Sequence, residues 1–318
     1  MGNQISGAVS GPFIAPLVMR DAFANERIVI DTAGNFYPND GYNKSYFVDV
    51  NAGLDTNDGL SWSTPLKTIA PAIVLSNANI ASGAVGWAAR NAIYFKGDNN
   101  EAAKETLITL PSKCDVIGVG SYDHRSYPVM IGNHVIGAGA YMGTRFINMG
   151  FRSLTAGGVI FTAPTTTSGL QFIGCYFDGR TTTPATKAIV LTAVEEAAII
   201  GCKFIGKYST TTIDIGTGSS RALLIKGNQI ESGAIGITVH ASMTCADAVA
   251  MILNNVFSVV TLVIDENSDK VVIGGNRGTT SAAQTLALIL DYNSALAYDN
   301  IITSATVTSI YPALGAIA

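Results

Sequence analysis

Short apolar stretches alternate with Gly, Asn and Thr along most of the chain. Ala188–Leu191 and Ile235–Val239 are examples, in which runs of a few apolar or β-branched residues lie between turn-forming residues. Such runs are typical of short strands rather than of helices. An α-solenoid would need amphipathic helices rich in Leu, Glu and Lys, but charged residues make up only 13% of the chain. The pattern therefore predicts an all-β protein.

The apolar stretches belong to a repeat. Seven segments end in a similar short pattern, with steps of 26, 27, 26, 27, 21 and 24 residues between the aligned positions. Those positions are Met149, Cys175, Cys202, Asn228, Asn255, Asn276 and Asn300. A period in the twenties indicates a solenoid, in which each rung buries its apolar face only against the next rung. The regular Leu spacing of a leucine-rich repeat is absent. We therefore predict a right-handed, single-stranded parallel β-helix with three short strands per coil and a rise of about 4.8 Å.

The recurring Asn predicts a structural ladder at one bend between two sheets. Asn tolerates left-handed backbone, and its amide is able to bond to the equivalent position one coil away. The ladder residues would be Asn228, Asn255, Asn276 and Asn300. Met149, Cys175 and Cys202 would continue the column as packing residues. A polar binding stripe is the alternative interpretation.

The four cysteines, Cys114, Cys175, Cys202 and Cys245, lack metal-binding spacing. Cys175 and Cys202 are expected to stack on successive coils, where parallel side chains are poorly placed for a disulfide. We expect buried thiols, as in a protein made in a reducing cytoplasm.

The segment Tyr46–Ile73 carries a second motif: YFVDVNAGLDTNDGLSW, followed by STPLKTIAPAI. It resembles the opening of many pectate-lyase-like right-handed β-helix proteins. The matching positions are Asp49, Gly53, Asp55, Asp58, Gly59, Trp62, Pro65, Lys67, Thr68, Ile69, Ala72 and Ile73. With the repeats, the resemblance covers residues 45–303. It implies the fold but not one activity, because the family includes polysaccharide lyases and hydrolases, bacteriophage tailspikes and virion proteins with no known enzymatic role.

These patterns divide the chain into three parts. Residues 1–44 lack the repeat and are predicted to be an extended N-terminal arm. Residues 45–303 form the β-helix, with an N-terminal cap at 45–80, and residues 304–318 form a C-terminal tail. A capping helix is expected over Pro65–Ser76 to cover the end of the solenoid. Its apolar face would comprise Leu66, Ile69, Ala70, Ile73 and Val74.

The turn that precedes this helix contains Asp55 and Asp58, with Asn51 and Asn57 nearby. Oxygen ligands of this kind bind calcium in acidic loops, so the two carboxylates are weak candidates for a metal site. The alternative is that they stabilise the turn itself, and we favour that alternative because the ligands are few. No metal or other cofactor is expected.

Candidate catalytic residues are sparse. The strongest group is Asp178 and Arg180 with Lys207, because the repeat brings Lys207 or Lys203 near Asp178 on stacked coils. A lyase would need such a base beside acidic groups, and a glycosidase would need two carboxylates across the scissile bond. The other candidates are Asp214, Glu195-Glu196 and Asp265-Glu266, while His124, His134 and His240 join no recognisable triad. No column of acids extends over several rungs, so we interpret these residues as turn acids or salt bridges and predict that the protein is not an enzyme.

Composition restricts the partners. The net charge is −4 with no basic block, which argues against nucleic-acid binding. No apolar run approaches the length that crosses a membrane, and the N-terminus makes a poor secretion signal. The mean hydropathy of +0.32 indicates a surface that is largely covered in an assembly.

Together with the resemblance, these features suggest a structural protein of a bacteriophage virion that is assembled in the host cytoplasm. It would be a capsid decoration or head-spike module, a homotrimer, attached to other virion proteins through residues 1–44. The alternative is a receptor-binding tailspike that degrades host surface polysaccharide. A non-viral, carbohydrate-binding β-helix is a third hypothesis.

Overall fold

The protein is a parallel β-solenoid, as a computed structural model shows. The structure describes residues 42–82, 89–97, 105–120, 128–180, 182, 184–219, 222–231, 233–240, 243–244, 250–259, 262–266, 271–280, 296–304 and 308–311, together with the strands Leu17–Arg20, Glu26–Ile30 and Phe36–Pro38. The predicted parallel β-helix is confirmed.

Three long sheets run along the solenoid, and successive rungs are neighbours in each of them. The first sheet contains the strands Lys44–Asp49, Asn91–Lys96, Cys114–Gly118, Thr144–Ile147, Gln171–Ile173, Ala197–Ile200, Leu223–Lys226, Ala250–Leu253, Val271–Gly274 and Leu296–Tyr298. The second contains Val129–Ile131, Gly150–Arg152, Tyr176–Asp178, Lys203–Ile205, Gln229–Ile230, Val256–Val259, Arg277–Thr280, Asn300–Ser304 and Thr308–Tyr311. The third contains His134–Val135, Val159–Ala163, Lys187–Leu191, Thr211–Ile215, Ile235–Val239 and Leu262–Glu266. Two small parallel pairs join Tyr141–Met142 to Thr167–Ser168 and Gly218–Ser219 to Met243–Thr244.

The corner between the first and second sheets explains the recurring sequence pattern. Each corner has two residues, and the first has a left-handed backbone that Gly, Asn and Asp adopt more readily than other residues. The first residues are Asn148, Gly174, Gly201, Gly227, Asn254, Gly275 and Asp299, with φ between 48° and 66°. The second residue of each corner is the aligned position of the repeat, which therefore lies at one bend as predicted.

The core consists of apolar columns that run along the solenoid. Phe146 stacks on Phe172 with ring centroids 5.4 Å apart, in register between neighbouring first-sheet strands. Phe151, Phe177 and Phe204 form a second stack, with centroid separations of 5.1 and 4.9 Å. Because every rung contributes to the same columns, each rung is covered only when its neighbours are present.

The cap contains a helix, Ile69–Ala81, which begins later than predicted. Leu66 lies outside it and forms a parallel bridge with Val48. The helix buries Ile69, Ala72, Ile73 and Ser76. The prediction that Ala70 and Val74 share the buried face was wrong, because both are exposed. The error came from including Leu66 in the helix, which rotated the expected face toward positions 70 and 74.

The helix N-terminus is capped by two acidic side chains from elsewhere in the chain. Thr68 is the N-cap residue, but its side chain makes no capping hydrogen bond. Asp55 accepts hydrogen bonds from the backbone of Lys67 and Thr68 at 3.0 and 2.8 Å. Glu105 accepts from the backbone of Ile69 and Ala70, at 2.9 and 3.0 Å through Oε1. Two carboxylates therefore satisfy the free N–H groups that begin the helix.

Both ends of the chain carry antiparallel strands. Within the range predicted as an arm, Leu17–Arg20 pairs with Glu26–Ile30, which pairs with Phe36–Pro38, in a separate three-stranded sheet. Thr308–Tyr311 pairs antiparallel with the last rung strand, Asn300–Ser304. The domain boundaries and the role of residues 1–44 stay predictions.

Candidate functional site

The predicted Asn ladder is confirmed as an internal hydrogen-bond chain. The Oδ1 atoms of Asn255, Asn276 and Asn300 accept from the backbone N–H of the preceding ladder Asn, at 2.9 to 3.0 Å. The same Oδ1 atoms accept from the preceding Nδ2 group at 2.9 to 3.0 Å. Asn228 Oδ1 accepts from Cys202 N–H at 2.8 Å, which starts the chain. All four Asn are buried, so this column is a structural ladder and not a surface binding stripe.

The cysteines continue the ladder with weaker bonds. Each ladder Asn donates from Nδ2 to a first-sheet carbonyl oxygen of the preceding rung, for example Asn228 to Ile199 at 2.9 Å. Cys202 Sγ and Cys175 Sγ approach the equivalent carbonyl oxygens of Phe172 and Phe146 at 3.4 and 3.3 Å. The thiols are therefore weak donors as well as packing residues.

The described cysteines, Cys114, Cys175 and Cys202, are free and buried, and Cys245 lies outside the described residues. Burial raises the pKa of Cys114 to about 12 and that of Cys202 well above its usual value. A thiol that stays protonated is a poor nucleophile, so these two are unsuited to catalysis.

The strongest predicted catalytic group lies at one corner of the second sheet. Asp178 Oδ2 is 3.0 Å from Arg152 Nε on the neighbouring rung, and Asp178 Oδ1 accepts from Arg180 N–H at 2.9 Å. Lys207 N–H donates to the Arg180 carbonyl oxygen at 2.9 Å. The structure thus brings Asp178, Arg180 and Lys207 together. Lys203 is turned to a different partner, Glu231, at 3.2 Å.

At this corner the Asp178 carboxylate stabilises the backbone turn at Arg180. Arg180 has a left-handed backbone with φ of 58°, and the bond from its N–H to Asp178 stabilises that turn. The second carboxylate oxygen is occupied by Arg152. The partner that sequence reasoning missed is Arg152, although it lies 26 residues before Asp178, one period of the repeat.

Asp55 and Asp58 also hold a turn. Asp58 Oδ1 accepts from Leu60 N–H at 3.0 Å and from Thr64 Oγ1 at 2.7 Å, and these bonds hold the pKa of Asp58 below its usual range. Asp55 caps the helix as described above. Among the residues that the structure describes, no group of three His, Cys, Asp or Glu converges on one point.

A polar cluster with an ion pair and an imidazole lies on the third sheet. We call it the third-sheet cluster: Lys187, Thr211, Asp214, Thr238 and His240. Lys187 Nζ forms an ion pair with Asp214 Oδ2, and His240 Nε2 is 3.0 Å from Asp214 Oδ1. Thr238 Oγ1 lies 3.2 Å from Thr211 Oγ1 on the next strand. The Asp214 side chain is only 5% exposed, whereas that of His240 is 47% exposed.

Sequence reasoning singled out Asp214 and His240 but not their association with each other or with Lys187. Lys187 and His240 lie 27 and 26 residues from Asp214, so the repeat period was the signal that would have found them. The backbone register also places Asp265 two rungs beyond Asp214, with Thr238 between them. Two rungs separate their Cα atoms by about 9 to 10 Å.

The remaining candidates are scattered. Glu195 lies in an isolated bridge with Ser168, and Glu196 follows it with φ of 56° at an exposed corner. His134 is buried in the core between aromatic rings. His124 lies outside the described residues. These positions do not join Asp178 or Asp214 in one site.

A buried carboxylate that sequence reasoning missed lies on the first sheet. Asp115 bonds to Arg145 Nε at 2.6 Å, Arg90 Nη2 at 2.5 Å and the Tyr42 hydroxyl at 2.6 Å. Burial alone would raise the pKa of Asp115, but the hydrogen bonds from Arg145, Tyr42 and Arg90 outweigh burial and lower it. Asp115 therefore stays ionised and links the start of the solenoid to the next three rungs.

Ion pairs between neighbouring rungs recur on all three sheets. On the first sheet they join Asp49 to Lys96 and Asp115 to Arg145; on the second, Arg152 to Asp178 and Lys203 to Glu231; on the third, Lys187 to Asp214. We call these contacts rung ties. In four of them the acid and the base lie on strands that are hydrogen-bonded to each other, and in the fifth Glu231 directly follows such a strand. In these pairs, charged side chains on the outer faces of the sheets bind each other between neighbouring rungs, along the axis of the solenoid.

Comparisons with known proteins found one weak structural similarity. No protein-family model and no curated protein matches the sequence. The crystal structure of a GH136 lacto-N-biosidase from Eubacterium ramulus is similar at 9% identity and a TM-score of 0.28, over 81% of this chain and 68% of that chain. A similarity at this score carries no argument about activity. In the described part of the chain, no helix is long and apolar enough to cross a membrane. Over the residues that the structure describes, the chain is a β-solenoid with one short capping helix.

Proposed function

We propose that the chain is a structural module of a bacteriophage virion. It is a β-helical capsid decoration or head spike, attached to other virion proteins through residues 1–44 and assembled as a homotrimer. The resemblance of Tyr46–Ile73 to the opening of the β-helix family and the low content of charged residues support this proposal.

The observation that carries the proposal is that charged side chains on the outer faces of the sheets pair with each other as rung ties. Asp178 and Asp214, the two carboxylates best placed for chemistry, each have both oxygens occupied by a partner. Side chains arranged in this way stiffen a rod, because each tie opposes the separation of two rungs. A carboxylate that binds substrate would instead need an oxygen that faces an open site.

The test is attachment to capsid shells. Full-length protein and a chain that begins at Tyr42 are mixed with shells purified from the phage that encodes the protein, and binding is followed by co-sedimentation. We expect the full chain to bind saturably. We expect the shorter chain to keep its β-sheet circular dichroism but lose binding. Equal binding by both chains, or no binding by the full chain, would contradict the proposed attachment.

The third-sheet cluster favours one second candidate, a receptor-binding tailspike that cleaves host surface polysaccharide. Asp214 and Asp265 are separated by about 9 to 10 Å between Cα atoms. A glycosidase needs two carboxylates across the scissile bond, and the backbone register places these two Asp in one column of the third sheet. Of the described carboxylates, Asp214 is the one that also contacts an imidazole.

An assay with host envelope polysaccharide separates the two candidates. Reducing ends report hydrolysis, and absorbance from unsaturated sugars reports lyase activity. The structural proposal predicts no release of oligosaccharide. Release that disappears in Asp214→Asn would establish the third-sheet cluster as a hydrolytic site. Release that disappears instead in Asp178→Ala or Arg180→Ala would assign the activity to the second-sheet corner.

A further inference from the structure

The capping helix, Ile69–Ala81, is apolar on the side that faces away from the solenoid. Its residues with exposed side chains are all apolar, and Val74 and Leu75 are 66% and 39% exposed. We call this surface the outer helix face: Ala70, Val74, Leu75 and Ala78. A surface helix normally turns a polar side to water, whereas a helix that is apolar on both sides is covered on both.

The polar side chains of this helix bind the body of the protein instead of water. Ser76 Oγ accepts from Asn91 Nδ2 at 3.1 Å. Asn77 Oδ1 accepts from the Ser112 N–H at 2.8 Å, and Asn77 Nδ2 donates to the Leu110 carbonyl oxygen at 3.1 Å. Because these groups are used on the solenoid side, the outer helix face keeps only apolar side chains and requires a partner of its own.

A second apolar face lies on the three-stranded sheet near the N-terminus, which we call the N-terminal sheet: Leu17–Arg20, Glu26–Ile30 and Phe36–Pro38. Two rows of paired positions are two residues apart along these strands and therefore share one face of the sheet. The residues of both rows are apolar: Leu17, Ile30 and Phe36 in one row, and Met19, Ile28 and Pro38 in the other. Three strands this short need another layer against their apolar face.

The chain enters the solenoid beside the capping helix. Asn43 Nδ2 donates to Asn79 Oδ1 at 2.7 Å, which holds Asn43 at the C-terminal half of the helix. Pro38, the last residue of the N-terminal sheet, is five residues before Asn43, a distance of at most about 17 Å. Ala70, at the far end of the outer helix face, is about 14 Å from Asn79 along the helix axis. The N-terminal sheet is therefore able to reach the whole outer helix face of its own chain.

We propose that the N-terminal sheet packs with its apolar face on the outer helix face of the same chain. The capping helix then lies between two apolar layers, the solenoid core on one side and the sheet on the other, as helices do in layered domains. Three strands are about 14 Å across, and the helix of 13 residues is about 20 Å long, so the sheet covers most of the outer helix face.

The short connection favours the same chain over a second copy as the occupant. A flexible linker of this length gives an effective concentration in the millimolar range, so that a small apolar contact is sufficient. The inference goes beyond the proposed virion role and does not depend on it. For that role its consequence is that a docked sheet fixes the orientation of the solenoid relative to whatever residues 1–16 bind.

The test is hydrogen–deuterium exchange of the full chain, followed by mass spectrometry of peptides from residues 17–38. In wild-type protein we expect these amides to exchange slowly and at the same rate at every protein concentration. Val74→Lys places a charge in the middle of the outer helix face and is expected to speed this exchange by about tenfold. Val256→Lys is the matched control, because Val256 is 52% exposed on the second sheet; it is expected to leave residues 17–38 unchanged.

Ala78→Lys is a second variant on the same face, one turn further along the helix. Lys favours helix at exposed positions, so both helix variants keep the capping helix, and slow exchange of the strand Lys44–Asp49 checks that they do. Fast exchange of residues 17–38 in wild type, unchanged exchange in both helix variants, or equal acceleration by Val256→Lys would each overturn the inference. Protection that is lost on dilution would identify a second copy as the occupant and would also overturn it. A full chain that shows this protection but binds no capsid shells would contradict the virion role alone.

Discussion

Asn255 lies in the middle of the buried ladder and is bonded on both sides. Its Oδ1 accepts from Asn228, and its Nδ2 donates to Ile225 O at 3.1 Å and to Asn276 Oδ1 at 3.0 Å. An amide is the smallest side chain that supplies both an acceptor and two donors at this bend. This requirement explains why Asn recurs there and why shorter thiols serve only as weak substitutes.

Asn255→Ala is expected to lower the free energy of unfolding by about 3 kcal/mol, because it leaves several buried polar groups without partners. Asn254→Gly is the control, since Asn254 is exposed and has φ of 55°, which Gly adopts without strain. The control should change stability by less than about 0.5 kcal/mol. Urea unfolding measures both values. A small loss for Asn255→Ala would mean that the ladder is dispensable.

His134 makes stability depend on pH. Its Nδ1 accepts from Leu107 N–H at 3.0 Å, and burial lowers the pKa of His134 to about 4. The unfolded chain therefore binds this proton first as pH falls below the ordinary value of 6.5. The stabilising contribution is complete above about pH 6.5 and is lost as pH falls toward 4.

We expect wild-type protein to lose about 2 kcal/mol between pH 7 and pH 5 from this residue. His134→Gln removes the titrating group and should show a correspondingly flatter profile over the same range. Both proteins contain the same carboxylates, so the difference between the two profiles isolates His134. Parallel profiles would contradict the assignment.

At the scale of elements, the cap depends on carboxylates that are distant in sequence. Glu105 is 36 residues from Ile69 and yet accepts its N–H bond. Glu105→Ala should destabilise the protein by about 2 kcal/mol, because the backbone N–H groups of Ile69 and Ala70 lose their hydrogen-bond acceptor. Glu105→Gln keeps one acceptor oxygen and should cost about half as much. Thermal unfolding measures both, and equal losses would show that the acceptor is unimportant.

The elements differed in how well sequence predicted them. The ladder was predictable because one buried position repeats with a fixed period and demands one residue type. The start of the helix was not, because the bridge between Leu66 and Val48 is a tertiary contact that no local pattern reports. The third-sheet cluster could be predicted only in part. The spacing of its residues follows the repeat period, but nothing in the sequence around Lys187 distinguishes it from other surface lysines.

At the scale of the whole molecule, the ladder, the aromatic stacks and the rung ties act along one axis. The apolar outer residues of the first sheet were not predictable from the sequence because Ile147 and Phe146 are both apolar, so the strand shows no alternation between core and surface. Only the register shows that Phe146 lies inside and Ile147 outside. A strand that is apolar on both faces is expected where both faces are covered.

The most direct test of the proposed virion role is to look for the protein in purified particles of the phage that, on this proposal, encodes it. Mass spectrometry of purified virions identifies the chain, and cryo-electron microscopy locates it. We expect the chain in the mature particle, as a rod on the outer surface with its N-terminal segment against the shell or tail. Absence of the chain from virions, or its origin in a genome without virion genes, would contradict the account.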